Sequence, residues 1–136
     1  MNPILRNILA VVAGIVIGGA INMGIIMLFG NIIPPPDGVD PSDMESIKSN
    51  MHLYQPKHFI SPFLAHALGT LIGAFTAAKI AISNHKLLAL LIGGVFLIGG
   101  IMMVVQLPSP MWFNILDLVG AYIPMAWLGH KFANKG

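Results

Sequence analysis

Apolar residues run along this chain in long unbroken stretches, without the alternation that marks a half-buried strand or a soluble amphipathic helix. A helix needs roughly 20 mostly apolar residues to cross the hydrocarbon core of a bilayer, with every backbone amide bonded inside the segment. Four stretches reach that length, at about 8–29, 62–83, 87–107 and 110–129. The interruptions between the last three are only a few residues long, which makes consecutive helices antiparallel neighbours. The pattern predicts an all-α fold: a single transmembrane domain over 1–136, an integral membrane four-helix bundle built from two antiparallel hairpins. Ser61-Pro62 and Ser109-Pro110 open the second and fourth stretches alike, serine to cap free amides and proline where a missing N–H costs nothing.

Only residues 31–58 form a polar segment long enough for structure of its own. Pro34-Pro35-Pro36 is expected to be stiff and extended. Ser42-Asp43-Met44-Glu45 is a capping-box pattern, with acids in the first turn where the helix dipole favours them. It predicts a short amphipathic helix at about 43–51, whose apolar face is Met44, Ile47 and Met51. Such a helix either packs as a cover over helix ends or serves as a lid over a binding site.

Composition turns these stretches into a membrane assignment. Of 136 residues, 56% are hydrophobic and 9% charged, against about a quarter charged in a soluble domain. The net charge is only +2, and the seven Lys and Arg are scattered, so nucleic acid is not an expected partner; the lipid bilayer is. The absence of cysteine excludes disulfides, thiol redox chemistry and thiolate metal sites. Arg6, Lys79, Lys86, Lys131 and Lys135 fall on one predicted side, free of acids, while Lys48 and Lys57 share the other with Asp37, Asp40, Asp43 and Glu45. Because short cytoplasmic segments are enriched in Lys and Arg, both termini are expected in the cytoplasm and loop 31–58 outside, in a bacterial inner (cytoplasmic) membrane. The first stretch is too long for a signal-peptide core, and no Ala-x-Ala site precedes the prolines, so it reads as retained.

Membrane helices associate through close backbone approach at small residues. Gly14 and Gly18 extend a stripe begun by Ala10; Gly69 and Gly73 lead to Ala77; the third stretch has Gly93-Gly94 and Gly99-Gly100. These faces are expected to point inward, with a homo-oligomer seam as the alternative. The two Ser-Pro starts are 48 residues apart, a register that matches His66 with Asn114 in a weak parallel repeat.

Strongly polar groups in hydrocarbon are costly, about 2.5–3.5 kcal/mol for a mid-helix Asp, so each needs a partner. Asp117 is the one acid inside a predicted span. His66 lies five residues past Ser61 and Asp117 eight past Ser109, within about a turn of the same depth. Asn22 on the first stretch lies at a similar level, which predicts an intramembrane polar cluster of Asn22, His66, Thr70, Asn114 and Asp117. The cluster is either polar glue that fixes helix register or a proton or ligand site reached from outside. Metal is not expected, because His52, His58 and His66 match no zinc spacing, and no cofactor is expected either. His85 and His130 read as residues of the cytoplasmic boundary.

In size and span number the chain is similar to four-helix transporters of the small multidrug resistance type. That family is marked by a glutamate within the first span; here the first span holds Asn22 and no acid, so no residue carries over. Four-helix quinone-linked thiol oxidoreductases are excluded by the lack of cysteine. Three readings follow: an accessory or self-associating membrane module, within a homo-oligomer or a larger membrane complex; a small carrier with His66 and Asp117 as a protonatable pair; and a binding protein or enzyme for a lipid or quinone headgroup in the outer leaflet. Catalysis is the weakest expectation, since no paired carboxylates and no nucleophile with a base are present.

Overall fold

The computed structural model describes residues 1–134, so Lys135 of the basic set lies outside the described residues. Among them every regular element is a helix. The first, α1 (Pro3–Ile32), is opened by Asn2, whose side-chain oxygen accepts from the Ile4 N–H at 2.8 Å, with Pro3 just inside the start. Its 30 residues span about 45 Å and outrun the 8–29 stretch at both ends. It stops at Ile33 because the residue before a proline is pushed away from helical geometry.

The loop helix α2 (Met44–Ser49) is shorter than the expected 43–51. Its cap is Asp43 and not Ser42: the Asp43 carboxylate accepts from the Glu45 N–H at 3.1 Å, whereas the Ser42 hydroxyl is spent on the Asp40 carboxylate at 2.6 Å. Asn50 ends the helix, its side chain donating to the Ser46 carbonyl at 2.7 Å, and Met51 falls in a separate 3-10 turn, Met51–Leu53. A second 3-10 turn, Pro56–Phe59, leads directly into α3 (Ile60–Ile80). The start of this stretch therefore lies upstream of Ser61-Pro62. Gln55 and His58 cap each other reciprocally, the Gln55 N–H donating to His58 Nδ1 at 2.8 Å, so Ser61 has no free amide to cap.

Asn84, in the left-handed region at φ 52°, turns the chain into α4 (His85–Gln106), which ends at an extended Leu107 before Pro108. The last apolar stretch is not one rod. It divides into α5 (Met111–Gly120) and α6 (Ile123–Ala133) around Ala121 and Tyr122, because Pro124 has no N–H for the Gly120 carbonyl and its ring crowds that oxygen. Among the described residues, four segments are long and apolar enough to cross a membrane: α1, Pro56–Ile80, α4, and Met111–Ala133 taken across its break.

Helix α3 is central, touching α1, α4 and α6, and its tightest partner is α1. Gly14 faces Gly73 and Gly18 faces Gly69 on antiparallel axes, backbone against backbone. A Cβ on Gly14 would lie 2.7 Å from the Gly73 carbonyl oxygen, and one on Gly73 would lie 2.6 Å from that of Gly14. Ala10, Gly14 and Gly18 are the buried residues of α1. The first turn of α1 then closes the end of α3: Arg6 Nε donates to the Ile80 carbonyl at 2.8 Å, Asn7 donates to the Ser83 hydroxyl at 3.0 Å, and the Asn7 side-chain oxygen accepts from the Ile82 N–H at 3.0 Å. A second seam joins α3 to α6, where Gly129 lies against the Leu71 carbonyl and Ala74. Alanines from α3, α4 and α6 form one buried cluster with Ile92, among them Ala77, Ala89, Ala126 and Ala133. This folding gathers Arg6, Lys79, Lys86 and Lys131 at one end of the helices and loop 31–58 at the other.

Among the glycines expected at contacts, Gly100 packs on the Tyr122 ring, but Gly99 does not pack on a neighbouring helix: a Cβ there would meet nothing within 4 Å. Successive residues are about 100° apart around a helix, so only one of an adjacent pair can face a given partner.

Candidate functional site

The polar side chains predicted to share a depth are assembled by three helices and the break in the last stretch. On α3, His66 stands one turn from Thr70 and faces α5. Its Nδ1 lies 2.8 Å from Oδ1 of Asp117, whose side chain is 5% exposed against 22% for His66. The second carboxylate oxygen of Asp117 accepts from the Tyr122 hydroxyl at 3.2 Å. The Tyr122 ring in turn stacks on the His66 ring, with centroids 5.7 Å apart and planes inclined by 25°. Both oxygens of a buried carboxylate are therefore engaged, the condition under which such a group is tolerated in an apolar interior. An ionised carboxylate can only accept, so the neutral His66 tautomer that fits it carries its proton on Nδ1 and leaves Nε2 as a bare acceptor.

His66 borders a cavity of about 240 Å³ between α1, α3 and α4. Its floor is α3, with His66, Gly69 and Thr70; Asn22 enters from α1, and Tyr122 stands at its edge. On one side α1 and α4 touch, where Gly14 meets Ile92 and Gly18 meets Phe96. Past Phe96 the two helices enclose the cavity between Gly19 and Asn22 on one and Gly99, Gly100 and Met103 on the other. Gly19 and Gly99 are exposed on the outer surface of the protein, so the cavity opens sideways through the α1–α4 cleft.

Thr70 is the unusual member. It is fully buried, and its hydroxyl has no hydrogen-bond partner. A threonine in a helix ordinarily satisfies its hydroxyl on the carbonyl one turn back, as Thr76 does on the same helix with Ile72 at 2.8 Å. Leaving a buried hydroxyl unpaired costs about 1–3 kcal/mol.

The structure thus brings His66 and Asp117 into direct contact and sets Asn22 and Thr70 around the same cavity. It leaves Asn114 outside the group: the Asn114 amide donates to the Ser109 carbonyl at 3.3 Å, at the start of α5. His66 and Asn114, equivalent in the weak repeat, therefore have unlike surroundings. The loop helix is elsewhere too. Ile47 and Met51 pack with Phe59, Phe113 and Leu107, Met44 remains 39% exposed, and none of the three lines the cavity.

Tyr122 is the residue that sequence reasoning missed. On a continuous helix it would sit five residues, or about 140° net, from Asp117, on another face. The break at Ala121 and Tyr122 turns its ring back toward the carboxylate. Pro124, two residues on, was the available signal.

No family model matches the chain, and no curated protein or solved structure matches it either.

Proposed function

We propose that the chain is an integral membrane four-helix bundle, with its basic end in the cytoplasm and loop 31–58 outside, that binds the polar head of a neutral amphiphile in the cavity beside His66. Membrane insertion is supported by the four apolar segments, and orientation by the gathering of Arg6, Lys79, Lys86 and Lys131 at one end, opposite the acids of the loop. The observation that carries the binding role is the unpaired hydroxyl of Thr70, fully buried in the wall of a cavity whose other polar lining is Asn22, His66 and Tyr122. Polar glue would use its groups on each other, as Asp117, His66 and Tyr122 do; Thr70 is left over.

The ligand enters from the lipid. A water-soluble substrate would need a path through the loop end, where Phe59, Phe63, Phe113 and Tyr54 pack together. The sideways opening between α1 and α4 needs no such path.

A second reading, self-association or docking in a larger complex, is favoured by α1, which buries three of its 30 residues and leaves a long apolar face. Native mass spectrometry of the protein in mild detergent separates the two. A bound small amphiphile lost on filling the cavity supports the pocket; a stoichiometric protein partner with an empty cavity supports docking. Because the chain has no cysteine, single cysteines at positions 45 and 134 give a clean topology test. Labelling of position 45 from outside, and of position 134 only after permeabilisation, is expected; the reverse would refute the orientation.

A further inference from the structure

We infer that the amphiphile is a quinol- or quinone-type molecule, an uncharged oxygen-bearing ring on an apolar tail, admitted from the lipid across Gly19 and Gly99. The inference rests on the pocket reading and narrows it to one ligand class.

Charge removes the commonest lipid heads. Among the described residues no Lys or Arg lines the cavity, so a phosphate head would meet no counter-charge in a low-dielectric setting. A cationic head would have no free carboxylate oxygen, since both oxygens of Asp117 are engaged by His66 and Tyr122. What remains is a neutral head that both gives and takes hydrogen bonds. A quinol O–H can donate to His66 Nε2, the nitrogen that Asp117 leaves free. A ring oxygen can accept from the Thr70 hydroxyl or the Asn22 amide.

Size and shape point to a ring. Pockets for whole drug-sized ligands hold about 300–1,000 Å³. At about 240 Å³ this one suits a single substituted ring, with the remainder of the molecule outside. Its walls include the rings of Phe96 and Tyr122, and aromatic rings pair with a planar head in offset or edge-on geometry. The tail leaves by the α1–α4 cleft. There Gly19 and Gly99 each have open space where a side chain would begin, with no atom of another element within 4 Å. Neither glycine serves helix packing, and both border the cavity; their smallness keeps the mouth open.

The experiment uses the full chain in detergent, with thermal unfolding read against added probe. The probes are a decyl-substituted benzoquinol, decanol, and phosphatidylglycerol. A saturable rise in Tm with the quinol alone is expected. The double variant Gly19→Leu/Gly99→Leu should abolish that rise while leaving the probe-free Tm in place. Thr70→Val, which keeps the side-chain shape, should weaken apparent quinol affinity about three- to tenfold, the loss of one hydrogen bond, and it serves alone should the glycine variant fail to fold. If decanol gives an equal rise that the same variants remove, the ring is wrong and the pocket reading survives. A rise with phosphatidylglycerol that these variants remove overturns the assignment of a neutral head. If no probe gives a shift sensitive to either variant, the pocket reading falls as well.

Discussion

The same substitution, glycine to alanine, should destabilise this protein at one position of its helices and not at another. At Gly73 the added Cβ would lie 2.6 Å from the Gly14 carbonyl oxygen, about 0.8 Å inside the 3.4 Å at which ordinary contact begins, and 3.3 Å from both Gly18 Cα and Ile92 Cγ2. Two of those three neighbours are backbone, so no side-chain rotation relieves the clash, and α1 must move away from α3. The motion loosens the reciprocal contacts of Gly14, Gly18 and Gly69 together. Overpacking of this kind costs typically about 1–3 kcal/mol, set against a gain of up to about 1 kcal/mol in helix propensity. Net destabilisation is expected, carried by lost van der Waals contact, which is the main attraction between helices in lipid. At Gly24, on the same helix as Gly14, a Cβ meets nothing within 4 Å, so only the propensity gain remains and Gly24→Ala should be neutral or stabilising by up to about 1 kcal/mol. The assay is the midpoint of SDS-induced unfolding in mixed micelles, followed by circular dichroism. Equal midpoints for Gly73→Ala and Gly24→Ala would refute the claim that the α1–α3 seam is backbone against backbone.

Other sites give sharp contrasts. Met51 is 8% exposed among Phe59 and Phe113, so Met51→Asp should cost about 3 kcal/mol or more, whereas Met44→Asp, at a position 39% exposed, should fall within about 0.5 kcal/mol of wild type in the same titration. Tyr122→Phe strips the donor from one oxygen of a buried carboxylate and should cost about 1–3 kcal/mol; little coupling to Asp117→Leu, which removes the acceptor, in a double-mutant cycle would contradict the bond. The Ser42 hydroxyl and backbone N–H both donate to the Asp40 carboxylate and hold it below its ordinary 3.8. An acid lowered in the folded state adds stability that is present above about pH 3.8 and lost as pH falls through the lowered value. Ser42→Ala should therefore move the Asp40 titration, followed by carboxyl-carbon NMR, back up toward 3.8; an unchanged titration would sink the attribution.

What could be read from the chain alone was whatever a single segment decides by itself. Hydrocarbon length is a property of one run, so the four apolar segments were visible without knowing their neighbours. Depth along a helix follows from counting residues, which is why His66 and Asp117 could be set at one level before either had a partner. Pairing, rotation and breaks belong to the tertiary structure. Gly99 and Gly100 are indistinguishable in a small-residue pattern; the position of Tyr122 decides that Gly100 carries the contact and Gly99 borders the cavity. Asn114 was at a plausible depth, yet its amide donates to the Ser109 carbonyl just ahead of its own helix. Tyr122 entered the site because Pro124 interrupts the last apolar run and turns the residues before it, a rotation that no count at 3.6 residues per turn contains. The cavity and the unpaired Thr70 hydroxyl likewise exist only once three helices have packed, since open space is a relation between surfaces and no single sequence segment encodes it.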